Sequence, residues 1–101
     1  MLYINYVDSD IGAVSDANAK KRAQYIVSNH LPGDNSYYNI PNMMVINWIR
    51  VLIKEGCISN KEVMFSHHNK NNCHTNKKGK FEYWPFKDHY NRDSLIHLIR
   101  D

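Results

Sequence analysis

The chain has 101 residues, 43% hydrophobic and 23% charged, with a formal net charge of +3. That length supports one hydrophobic core, hence one domain over 1–101, and the composition is that of a soluble globular protein. No apolar run reaches the roughly 18 residues of a membrane span. MLYINYVDSD lacks a basic stretch followed by an apolar block, so no signal peptide is expected. Cys57 and Cys73 are too few for a disulfide framework, so a cytoplasmic setting with reduced thiols is expected.

Taken in order, Leu2–Val7 predicts a strand that ends at Asp8-Ser9-Asp10 and Gly12. Leu2, Ile4 and Tyr6 share one face and Tyr3 and Val7 the other, a pattern that suits an interior strand. Ser15 is a helix N-cap, with Val14 placed to staple onto Ala19, and the helix runs to about His30. Its apolar face is Ala19, Ala23, Ile26 and His30; Lys20, Lys21, Arg22 and Gln24 face water. Leu31-Pro32-Gly33-Asp34 makes a turn, and 35–39 reads as a polar, aromatic connection.

The most apolar stretch, IPNMMVINWIRVLIKEGCI, predicts a central helix over 41–55. Pro41 suits its first turn and Gly56 the left-handed position beyond its end. Its polar residues Asn47, Arg50 and Lys54 fall on one narrow stripe. After it, Cys57 and Ile58 are expected to tuck back toward the core. Glu62–His67 reads as a second strand, and HNKNNCHTNKKGK (68–80) as a long polar loop without metal, mobile in the free protein. Phe81–Trp84 reads as a third strand, antiparallel to the second, ended by Pro85. A last helix begins near Asp88. The order β-α-α-β-β-α makes an α+β domain, a small mixed or antiparallel sheet packed against the central helix.

Three groups of residues could carry chemistry. His67, His68, Cys73 and His74, with Cys57, His89 and His97 elsewhere, offer zinc-type ligands, but no C-x-x-C is present and adjacent strand residues point to opposite faces. The order of residues of an HNH nuclease is missing too, and no cofactor or metal is expected. Asp8 and Asp10 at a strand end could hold a magnesium ion. An aromatic and basic string, Lys80 to Arg92, combines residue types that anchor interfaces and stack on bases. No phosphate-binding loop, nucleophile elbow or zinc-protease motif occurs, and no spacing selects a Ser-His-Asp triad.

Two local resemblances follow from these residues. Asp8-Ser9-Asp10 resembles the D-x-D of haloacid-dehalogenase-type phosphotransferases, which implies a small metal-dependent enzyme using Asp8 and Asp10. The rest of that family's sheet and its further lysine and acidic motifs have no counterpart here. Leu52-Ile53-Lys54-Glu55-Gly56-Cys57-Ile58 resembles the end of a winged-helix recognition helix leading into its hairpin. That resemblance covers 40–86 and implies a nucleic-acid-binding regulator, with Asn47, Arg50 and Lys54 facing a groove and 62–84 as the wing.

The leading expectation is a small non-enzymatic binding protein that docks on a larger host protein or nucleoprotein complex and inhibits or redirects it. Direct nucleic-acid binding is the alternative; no membrane partner is expected. The high asparagine content resembles that of products of AT-rich genomes, many phage genes among them. The expected partner-binding residues are Lys77, Lys78, Lys80, Tyr83, Trp84, Lys87, Tyr90 and Arg92, with Lys20, Lys21 and Arg22 as a second surface.

Overall fold

The computed structural model describes residues 1–7 and 15–81. The elements are Leu2–Tyr6 (β1), Asp16–Asn29 (α1), Ser36–Ile40 (β2), Met43–Lys54 (α2), a 3-10 turn at Asn60–Glu62, Val63–His67 (β3) and Lys70–Cys73 (β4). The class is α+β, with a mixed sheet in the order β2-β1-β3-β4. β1 is interior, parallel to β2 on one side and to β3 on the other; β4 runs antiparallel to β3.

The alternation along the strands builds two unlike faces. Leu2 is level with Val63, Ile4 with Phe65 and Tyr6 with Ile40, and these side chains join α1 and α2 in one buried cluster. Tyr3, Asn5, Tyr37, Asn39 and Ser66 occupy the opposite face. There Asn5 is a hub: its amide donates to Asn39 Oδ1 at 3.0 Å, and its Oδ1 accepts from Ser66 Oγ at 3.0 Å and from the Asn69 N–H at 2.8 Å.

Helix α1 starts as its sequence predicts, with Ser15 Oγ accepting from the Asn18 N–H at 3.2 Å. Ala19, Ala23 and Ile26 are buried; two alanines in that row leave room for α2 to approach. Helix α2 starts later than expected. Asn42 caps it by accepting from the Met44 N–H at 2.8 Å, which leaves Pro41 outside the helix. Asparagine is a strong cap because its side-chain oxygen satisfies an otherwise orphaned N–H. At the other end Gly56 has φ +82°. The Cys57 N–H reaches Leu52 O and the Gly56 N–H reaches Ile53 O, both at 3.0 Å, closing a Schellman cap. Cys57 points out to solvent there, not back to the core.

Three further expectations are corrected. Residues 36–40 are an edge strand, since Tyr38 and Ile40 turn inward while Tyr37 and Asn39 turn outward, and the free edge of β1 satisfies their backbone. The stretch 68–80 is not an unstructured loop. His68 and Asn69 both have positive φ, 48° and 61°, and they make a two-residue turn that sends β4 back along β3. The antiparallel partner of β3 is therefore 70–73; Phe81 instead pairs with Thr75 in a single bridge. Residues 82–84 of the expected third strand, the helix from Asp88 and Val14 lie outside the described residues.

A polar cluster ties the chain start to the sheet edge. The Met1 ammonium lies 3.1 Å from Glu62 Oε1 and also donates to the Asp34 carbonyl. His30 bridges Ser36 Oγ at 3.2 Å and Glu62 Oε1 at 3.3 Å. The ammonium and His30 hold the Glu62 carboxyl below its usual range. Among the described residues no helix is long and apolar enough to cross a membrane.

Candidate functional site

The expected docking surface is represented among the described residues by one turn, Asn76–Lys80, which presents Lys77 and Lys78 to solvent with Lys80 half-buried beside them. Its geometry follows from Asn76. The Asn76 side-chain oxygen accepts from the Lys78 N–H at 2.9 Å and from the Lys80 N–H at 3.1 Å. Its backbone N–H donates to Lys80 O at 2.8 Å, and its carbonyl accepts from the Gly79 N–H at 3.0 Å. Asparagine does this readily because its side chain mimics a further peptide unit.

The turn is fixed to α2 by two residues of the polar stripe that the winged-helix resemblance would turn toward a groove. Asn47 and Arg50 are 0% and 3% exposed. Arg50 Nε donates to the Gly79 carbonyl at 2.8 Å and Nη1 donates to Asn47 Oδ1 at 3.0 Å. The guanidinium lies 4.5 Å from the centre of the Phe81 ring, and Phe81 meets Phe65 edge-on at 5.1 Å. A buried charge is tolerated only where its donors are satisfied, and the turn supplies part of that requirement. Gly79 has φ +75°, and a Cβ there would lie 2.2 Å from Arg50 O. Only glycine fits this close backbone approach. Asn47 and Arg50 are thus unavailable to a nucleic-acid groove, which removes the recognition-helix placement. The parallel β1–β3 pair also differs from a helix-turn-helix with a hairpin wing.

The histidine and cysteine candidates are dispersed. His74 Nδ1 lies 2.7 Å from Val63 O and 3.2 Å from Asn60 O. Carbonyl oxygens only accept, so that nitrogen carries the proton. The His67 ring lies 5.3 Å from Tyr6 and 4.3 Å from His68. Cys73 is half-buried, and burial pushes its thiol up to about 11, against the lowering effect of Arg50. A thiol that stays protonated near neutrality is a poor nucleophile and a poor ligand. Among the described residues no three His, Cys, Asp or Glu side chains form a group that could hold a metal ion.

Asp8 and Asp10 lie outside the described residues, as do Tyr83, Trp84, Lys87, Tyr90, Arg92, His89 and His97. On the second surface, Lys20 Nζ lies 5.0 Å from the centre of the Trp48 ring, while Lys21 and Arg22 face solvent. Sequence reasoning missed Arg50 and Gly79 as the fixture of the turn. The available signal was two polar residues, three apart, in a helix otherwise apolar on nearly all sides. No protein-family model, curated protein or solved structure matches this chain.

Proposed function

We propose that this chain is a small, non-enzymatic binding protein that docks in the cytoplasm on a larger complex bearing an anionic surface. It does so through the turn Asn76–Lys80 and the segment that follows, and by covering that surface it inhibits or redirects the complex. One observation carries this reading: the lysines sit on a turn already ordered by Asn76 and pinned by Arg50. A pre-organised loop has little conformational freedom left to lose on binding. Charges at the rim of an interface chiefly accelerate encounter with an oppositely charged partner. The phage-like composition favours a host nucleic-acid-handling or defence complex as that partner.

The test compares wild type with the double variant Lys77→Glu, Lys78→Glu on nuclease-treated host lysate, followed by kinetics on the captured complex. Both side chains are exposed, so melting temperature should be unchanged while association slows by about tenfold or more. Equal association rates would sink the proposal. A titration with random-sequence DNA addresses the alternative: affinity that falls steeply with salt marks direct phosphate contacts.

A further inference from the structure

The outward face of the sheet carries a second candidate site, unconnected with the lysine turn. Tyr3 on β1 and Tyr37 on β2 stack in parallel, with ring centres 4.6 Å apart and planes inclined by 4°. Tyr37 is on an edge strand and is 72% exposed. Beside the pair lies a cavity of about 220 Å³ whose lining includes Asn5, Asn39, Asn69 and Asn72 and, among the described residues, no charged side chain. Asn5 is the hub of the face, with one donated and two accepted hydrogen bonds. Asn39 uses its oxygen, and among the described residues no hydrogen bond takes up its Nδ2 or the side-chain amides of Asn69 and Asn72. Asparagine is depleted in strands, yet Asn5 and Asn39 sit opposite one another within two of them. A cost in local preference at an exposed face points to a use there.

We propose that this face binds an unpaired base of a single-stranded nucleic acid. Tyr37 is the stacking platform through the ring face turned away from Tyr3, and Asn39, two residues further along β2, meets the base edge, while Asn69 and Asn72, across β1, meet a neighbouring nucleotide of the same strand. A planar base extends a parallel tyrosine stack in the same orientation. An asparagine amide presents a donor and an acceptor side by side, the pattern that base edges complement. The neutral lining suits a base and not a phosphate. A saccharide would also use aromatic and amide groups. The parallel π-stack and the positive net charge of the chain favour the base.

The experiment is fluorescence anisotropy with the full chain and a short, fluorescein-labelled, random-sequence single strand. Wild type should bind, and a duplex of the same sequence should compete poorly because its bases are already stacked and paired. Tyr37→Ala should weaken binding at least about fivefold, while Tyr37→Phe, which keeps the ring, should not. Asn72→Ala, at an exposed side chain, should weaken binding without affecting melting temperature, and it keeps the test decisive if Tyr37→Ala is unstable. Absence of wild-type binding would overturn the proposal, as would Tyr37 and Asn72 variants that bind like wild type. Loss confined to the Lys77→Glu, Lys78→Glu variant would assign the strand to the lysine turn and overturn it too. Displacement of the strand by a soluble oligosaccharide would make the face a sugar site and count against it equally.

Discussion

The two helices solve the same problem in opposite ways. Helix α1 buries one row, Ala19, Ala23 and Ile26, and leaves Lys21, Arg22 and Gln24 in water. Helix α2 buries ten of its twelve residues, Asn47 and Arg50 among them. A polar group on α1 is satisfied by solvent. A polar group on α2 has to be satisfied by another part of the chain, and the turn Asn76–Lys80 is that part. A polar stripe on an apolar helix can therefore mark a docking place for backbone as well as a surface.

The comparison predicts a descending series of effects. Ile49 is wholly buried on α2, so Ile49→Ala should cost about 4 kcal/mol, read as a lower urea midpoint. An unchanged midpoint would show that α2 is not the centre of the core. Arg50→Ala should cost about 3 kcal/mol, since it leaves Gly79 O and Asn47 Oδ1 buried without their donor. It should also expose the turn, so limited trypsin digestion should speed up at Lys77 and Lys78. Gly79→Ala attacks the same contact from the other side and should cost about 2 kcal/mol through the clash of its Cβ with the Arg50 backbone and strain at positive φ. On α1, Lys21→Ala should stay within about 0.5 kcal/mol of wild type, as exposed substitutions do.

Acidity tests the fastening at the other edge of the molecule. The folded carboxyl of Glu62 titrates below its usual range because the Met1 ammonium, then His30, hydrogen-bond to it. A depressed carboxyl contributes stability above its unfolded value and loses it as pH falls through the folded one. Thermal melts should therefore show stability dropping on acidification through and below the ordinary carboxylate range. The Glu62→Gln variant should show a shallower drop. Equal slopes would mean that the cluster around His30 contributes nothing to the pH dependence.

Much of the fold was legible because it rests on local rules. Ser15 and Gly56 have the chemistry of a cap and of a left-handed stop, and both act where the sequence places them. β1, α1 and β3 are set by periodicity and by their breakers. β2 was missed because Ser36-Tyr37-Tyr38-Asn39-Ile40 has no apolar run, and only pairing with the edge of β1 makes it a strand. β4 was missed because Lys70-Asn71-Asn72-Cys73 has no apolar face at all. It is held by backbone pairing to β3 behind the positive-φ pair His68 and Asn69.

The same division runs through the candidate sites. That Lys77, Lys78 and Lys80 fall together in a polar, basic stretch follows from chain order, since neighbours in the chain remain neighbours in space. The helix expected over 41–55 was also bound to be buried on most sides, because a helix apolar on most sides has no stable place in water. Tertiary structure alone decided that the lysine stretch is a fixed turn, that Arg50 faces inward to hold it, and that Tyr3 and Tyr37 stack beside a pocket of asparagines. Those contacts join residues 29 and 34 positions apart. No local preference encodes such pairings, and only closure of the core brings their partners within hydrogen-bonding reach.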